Sequence, residues 1–201
     1  MFSIKCGPGS IALSSLVALS ACSSAGVDTF ATRAVPQDSG TFLQITAAGA
    51  GPLNGSTAYS SKAILAQLPD YTTGSVIIGL ENSTPDAMVL FRKAYGGQVQ
   101  ALQILPGPGG KIGQIHGVTH HVVGPAGERP GMTFREAGTD PATCRIGTNL
   151  WLGMAICKSR GAPNVTLTYS FKGEAAMSST LPPRQVLDTG ELQRIIWTPP
   201  T

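Results

Sequence analysis

Glycine and proline break this chain about once in every five residues, with 25 Gly and 15 Pro among 201. In a helix interior they cost roughly 1 and 3 kcal/mol each relative to Ala. Long helices and coiled coils are therefore excluded. Between the breaks lie short apolar runs rich in Val, Ile and Leu, the pattern of strands joined by tight turns. Disorder is excluded from the other side, because 42% of the residues are hydrophobic and the formal net charge is only +3. The sequence thus describes a mainly β protein.

Charged residues make up 12% of the chain, with Lys+Arg 14 against Asp+Glu 11. The basic residues are scattered, and no run exceeds Arg92-Lys93. A nucleic-acid binder gathers its basic residues on one face, so no nucleic-acid partner is expected. A solvated surface is the simple explanation of the charge, and weak attraction to anionic envelope polymers is the sharper one.

The N-terminus reads as an address. Lys5 supplies a short positive region, and Ile11 to Leu19 is an apolar run. At about nine residues that run is too short for a bilayer, which needs about 20. It ends in Leu19-Ser20-Ala21-Cys22, the order of a bacterial lipobox. Residues 1–21 are expected to be a lipoprotein signal peptide and Cys22 the lipidated residue. The alternative is an ordinary secretory signal with a chance Cys. Two or three acyl chains anchor stably where one is marginal, so the implied partner is a membrane, reached through the N-terminal lipid. Ser23, rather than Asp, favours the outer membrane. Residues 22–40 are rich in Ser, Ala, Thr and Gly and read as a flexible tether with a reach of about 23 Å. Residues 41–198 are expected to form one β-rich domain.

Within that domain, Phe42–Thr46 reads as a first strand. Ser56 or Thr57 is a candidate N-cap, and Ile64, Leu65 and Leu68 recur at helical spacing until Pro69. This is the one amphipathic helix. Strands are expected at 76–80, 88–92 and 99–105, with turn residues between them. Two more are expected near 112–115 and 120–123. Residues 131–137 suggest one helical turn. Val165, Leu167, Tyr169 and Phe171 alternate strictly, which marks a strand with one buried face. Ser159–Pro163 would join it to the apolar run 150–156 as a hairpin. Residues 192–197 form a last strand, and burying Trp197 would pin the chain end. The fold expected is an antiparallel β-sandwich-like domain.

Cys144 and Cys157 are an even pair in a chain read as extracytoplasmic, and so a candidate disulfide. A hairpin turned at Gly147-Thr148-Asn149 would place Cys144 opposite residue 152, about 16 Å from position 157, beyond bridging distance. Either the strand bulges or Gly147 is not a hairpin turn. Buried reduced thiols and a redox pair remain alternatives.

The sequence shows no recognisable catalytic site and implies no cofactor. On a strand, adjacent His120 and His121 would point to opposite faces, with His116 some 13 Å away, so no metal site is expected. Gly107-Pro108-Gly109-Gly110-Lys111 lacks the first Gly and the Ser/Thr of a phosphate loop. Glu128, Glu136 and Asp140 read as solvated loop acids. Met132, Phe134 and Trp151 suggest a satellite core. The sharper reading is an apolar ligand surface edged by Arg129 and Arg135. Gly and Pro concentrate between Leu105 and Gly131, which makes that segment a further place to seek a ligand.

The lipobox, Ile45-Thr46, the helix at 64–68, Gly131-Met132-x-Phe134-x-x-Ala137, Cys144, Cys157, Thr168-Tyr169-Ser170-Phe171-x-Gly173-Glu174 and Arg194-Ile195-Ile196-Trp197 occur in this order. In this the chain resembles the envelope lipoproteins named for regulation by the sigma-E (RpoE) stress factor, a family of unknown function. The resemblance implies a β-sandwich-like fold and an outer-membrane, periplasm-facing location, and it carries no catalytic residues. The expected function is non-enzymatic, either binding an envelope protein or polymer or supporting envelope integrity. The alternatives are an inhibitor of a lytic enzyme, a carrier of a small apolar ligand, and, less favoured, a hydrolase.

Overall fold

Residues 40–200 are described by the computed structural model. The signal peptide, Cys22 and nearly all of the expected tether lie outside them. The strands are β1 (Leu43–Thr46), β2 (Gly49–Ala50), β3 (Tyr71–Ile77), β4 (Asp86–Ala94), β5 (Gly97–Pro106), β6 (Ile112–Gly117), β7 (Val122–Val123), β8 (Cys144–Ile146), β9 (Ala155–Ser159), β10 (Ala162–Ser170) and β11 (Glu191–Trp197). The helices are α1 (Ser61–Gln67) and α2 (Arg184–Leu187). The architecture is mainly β. Eight strands form one antiparallel sheet in the order β3-β4-β5-β6-β11-β10-β9-β8, and β2-β1-β7 form a small second sheet. β1 and β7 pair in parallel.

The last strand sits in the middle of the large sheet, between β6 and β10. Its Ile195, Ile196 and Trp197 are all buried. Such a continuous apolar run suits a strand covered on both faces.

Residues directly opposite each other in a ladder share a face. One row crosses seven strands from Leu90 through Leu102, Gly117, Ile195, Leu167 and Cys157 to Cys144. This apolar face carries the main core, which Leu43, Ile45, Leu53, Ile64, Phe134 and Leu187 complete from above. Gly117 is required there, because a Cβ would meet Val122 Cγ1 at 2.6 Å and Ile45 Cδ1 at 3.1 Å. The small sheet can approach only over that gap. Trp197 is fully buried, and its Nε1 donates to Ala47 O at 2.9 Å, tying the chain end to the loop after β1.

Flat, a sheet of eight strands would separate its edges by about 34 Å at the usual spacing. Here the two ends meet. Arg145 of β8 donates to both Glu81 carboxylate oxygens, at 2.7 and 2.6 Å. Thr148 N and Oγ1 donate to Glu81 at 2.8 and 2.9 Å, and Trp151 Nε1 donates to Gly79 O at 3.1 Å. The sheet is therefore strongly coiled, and this clasp joins the segment after β3 to the segment after β8. Paired with a guanidinium and accepting from Thr148, the Glu81 carboxyl is held down to about 2.

Several local expectations need correction. Ser60, not Ser56 or Thr57, caps α1, accepting from Ala63 N at 3.3 Å. Ser56 and Thr57 instead close a turn with Asn54. The third strand begins at Tyr71 rather than near 76, because pairing with β4 governs it. Ile78 and Leu80 leave the ladder and pack on Ala87 and Leu105. Residues 131–137 do hold a single helical turn, closed by Ala137 N to Thr133 O at 3.0 Å and by reciprocal bonds between Thr133 and Glu136. The hairpin β9–β10 turns at Arg160-Gly161, where Gly161 has φ +85°.

Cys144 and Cys157 form a disulfide. Ile146 pairs with Ala155, so residues 147–154 form a long connection containing a 3-10 turn at Asn149–Trp151. Gly147 is not a hairpin turn. It is a close-approach glycine, since a Cβ would collide with the Trp151 carbonyl.

Candidate functional site

The next row along the large sheet points to its other face and has a different character. Gln103, His116, Ile196 and Thr166 lie directly opposite one another across β5, β6, β11 and β10. The row beside it places Arg194 opposite Thr168. Gln103, His116 and Thr168 are buried, at 9%, 0% and 0% exposure.

The partners of these groups follow from donor chemistry. Arg194 Nη1 donates to Gln103 Oε1 at 3.2 Å and faces His116 Nδ1 at 3.4 Å. Arginine has no acceptor, so His116 Nδ1 accepts and the ring proton sits on Nε2. From there it is donated to Gln114 Oε1, 3.1 Å away. Burial, reinforced by the Arg194 charge, pushes the His116 ring down to about 3. The imidazole is neutral at pH 7 and a weak base. Burial also lowers Arg194 from its usual value, yet a guanidinium stays charged. Among the described residues no carboxylate pairs with Arg194, which in this is like Arg92, Arg129 and Arg160 and unlike Arg135, Arg145 and Arg184. Thr168 Oγ1 is buried without any hydrogen-bond partner. One face of the sheet thus holds a part-buried cation without an anion next to an unsatisfied hydroxyl.

Of the residues read from sequence as a candidate binding surface, Phe134 is not at the surface, and the others have structural partners. Phe134 is fully buried in the main core, with its ring edge-on to Tyr169 at 5.0 Å. Arg129 donates to His120 O at 2.8 Å and Thr41 Oγ1 at 2.9 Å, fastening the start of the domain. Arg135 pairs with Asp188 at 3.1 Å. Met132 is half-buried, and its backbone bonds to Leu192. Trp151 belongs to the clasp at Gly79. The core reading of Phe134 holds, though the core is the main one rather than a satellite shared with Met132 and Trp151.

Part of the Gly-rich segment has a structural role. A Cβ on Gly107 would lie 2.7 Å from Gly113 Cα, and Gly117 makes room for the small sheet. Glu128 is not a solvated acid. It is buried and accepts from Ala126 N at 2.8 Å and Ser159 Oγ at 2.7 Å. His120 and His121 lie in a turn, not a strand, and their rings approach to 3.9 Å. His121 stacks on Phe42 at 4.1 Å and bonds to Gly40 O at 3.0 Å. His116 lies on the polar face instead. Among the described residues no group of three His, Cys, Asp or Glu is placed to hold a metal ion.

Sequence reasoning missed Arg194, Gln103 and Thr168 as a site. The signal was a polar residue at the non-core position of three strands. It carried no weight without knowledge that β5, β11 and β10 are all interior strands.

Fold and site together define a mainly antiparallel β protein whose large sheet is apolar on one face and holds a buried polar cluster on the other. The chain belongs to a family described as a protein of unknown function (DUF1131), whose model matches residues 35–199. A similar solved structure is that of the uncharacterized protein YfeY from Escherichia coli. Its TM-score is 0.57 at 20% identity, covering 77% of this chain and 99% of that one. That likeness shows the fold. No curated protein matches. Among the described residues no helix is long and apolar enough to cross a membrane.

Proposed function

We propose that this protein is a lipid-anchored component of the bacterial envelope, held by Cys22 at the outer membrane and facing the periplasm. Its β domain binds a partner rather than transforming a substrate. The observation that carries the binding reading is Arg194, a part-buried cation whose neighbours are neutral. Catalysis is not favoured by the same cluster. A general base works best with a pKa near the operating pH, and His116 is held near 3. Thr168 has no base within hydrogen-bond reach to activate it.

The order Leu19-Ser20-Ala21-Cys22 supports the anchor, and the Cys144–Cys157 bridge suits an oxidising compartment. The resemblance to sigma-E-regulated envelope lipoproteins supports the same location and extends the reading to stress-controlled expression. The test is fractionation of cells producing wild type and Cys22→Ser. Wild type is expected in the detergent-requiring outer-membrane fraction and the variant in the soluble one. A membrane-bound Cys22→Ser protein overturns the anchor. Cross-linking in intact cells followed by mass spectrometry tests the partner, and the absence of any envelope adduct overturns the binding role.

A further inference from the structure

The polar face has the chemistry of an anion receptor. Arg194 spends only Nη1 on protein acceptors, and among the described residues Nε and Nη2 donate to no protein group. Those two N–H groups form one edge of the guanidinium fork, the edge that takes two oxygens of a carboxylate or phosphate at once. Directly opposite on β10 is Thr168, whose hydroxyl is fully buried and unpartnered. A buried hydroxyl without a partner is unfavourable, and a part-buried charge without a counter-charge more so. One oxyanion would relieve both. The surrounding groups are compatible with it, since Gln103, Gln114 and neutral His116 bring no competing negative charge. No acid lies on Arg194's own ladder row, which runs through Thr168 and Ile156 to Arg145. Arg194 and Gln114 remain partly accessible from solvent.

We infer that the polar face of the large sheet binds a compact oxyanion, a carboxylate or phosphate group, between the Nε/Nη2 edge of Arg194 and the Thr168 hydroxyl. This rests on the reading of the domain as a binding module, not on its anchorage.

The test is calorimetric titration of the full mature chain in detergent with inorganic phosphate, acetate and dihexanoylphosphatidylglycerol, each against chloride at matched ionic strength. Wild type is expected to bind at least one probe saturably. Saturation by phosphate or acetate but not by the phosphodiester marks a small soluble oxyanion. Saturation by the phosphodiester marks a lipid headgroup. Arg194→Met is expected to abolish the response, and Thr168→Val, which keeps the shape, to weaken it about 5-fold. Arg135→Met, outside the site, should leave it unchanged. If Arg194→Met does not fold, Thr168→Val and Arg135→Met still decide the matter. No saturable response to any probe, an equal response in Arg194→Met, or equal affinity in Thr168→Val and wild type overturns the inference. A soluble Cys22→Ser protein that still binds phosphate supports it whatever becomes of the lipid anchor.

Discussion

The two faces of the large sheet are made by the same strands and serve opposite ends. On the apolar face, the row from Leu90 to Cys144 is closed over by the small sheet, α1 and Phe134. Its side chains have no polar atoms to satisfy, so burial there is direct gain. On the other face, Gln103, His116 and Thr168 are just as deeply buried, but Thr168 lacks a partner and Arg194 lacks a counter-ion. The apolar side has an orphan too, the buried Tyr71 hydroxyl, so the contrast lies in the gathering of Gln103, His116, Thr168 and Arg194 rather than in one unpaired group. The apolar face holds the molecule together, and the polar face is where the proposed site lies.

If so, substitutions on the two faces should behave differently. The largest loss is expected from Trp197→Ala, which empties a fully buried indole site and frees the chain end. It should cost about 3–5 kcal/mol in chemical denaturation. Next comes the bridge that ends the apolar row. Cys144→Ser with Cys157→Ala should cost about 3 kcal/mol, for a closed loop of this length. A loss below about 1 kcal/mol would mean that β8 is held chiefly by the clasp.

Acid should act through the polar face. His116 falls from 6.5 in the unfolded chain to about 3 in the folded one. Between those values the unfolded state binds the extra proton, so stability is complete above the upper one and drains away as pH falls. The slope limit is about 1.4 kcal/mol per pH unit. Unfolding curves between about pH 7 and pH 5 should show a loss of about 2 kcal/mol that His116→Gln removes.

The clasp is smaller. Glu81→Gln should cost about 1–2 kcal/mol, because Arg145 is exposed enough for solvent to screen the pair. Glu81 falls from 4.5 to about 2 on folding, so its contribution is present above 4.5 and fades only below it. In that it is distinguishable from the His116 effect. The smallest change is expected from Arg194→Met. Removing a part-buried cation that lacks a counter-ion is favourable, but Met leaves the buried Gln103 Oε1 and His116 Nδ1 without their donor, so a net loss of about 1 kcal/mol is expected. A loss near that of Trp197→Ala would erase the distinction between the faces.

Much of this was legible in advance where the signal is local. The alternation of Val165, Leu167 and Tyr169 placed one strand and its buried face, and all three are buried. Tyr95-Gly96 reads as a turn and is one, with φ of 53° and 77°, the positive values a two-residue hairpin requires. The cysteine pair was legible as a pair, though not as opposite residues of neighbouring strands. What failed depended on partners far away in the chain. Phe134 was read into a satellite core with Met132 and Trp151 until Tyr169 was placed beside it in the main one, and Gly147 looked like a turn until Trp151 folded back over it.

By itself, the sequence determined the composition of the elements. Frequent Gly and Pro forbade long helices, β-branched runs made strands, and one 3.6-residue pattern made α1. These are short-range effects of backbone sterics and side-chain shape. Only the tertiary structure decided that β11, the last element made, would occupy the middle of the sheet between β6 and β10. Strand order depends on contacts between residues far apart in the chain, such as Trp197 with Ala47, and no local pattern encodes which distant edge a strand will join. That placement turns Arg194 from a surface charge into a part-buried cation opposite Thr168, and so creates the site from which a function can be argued.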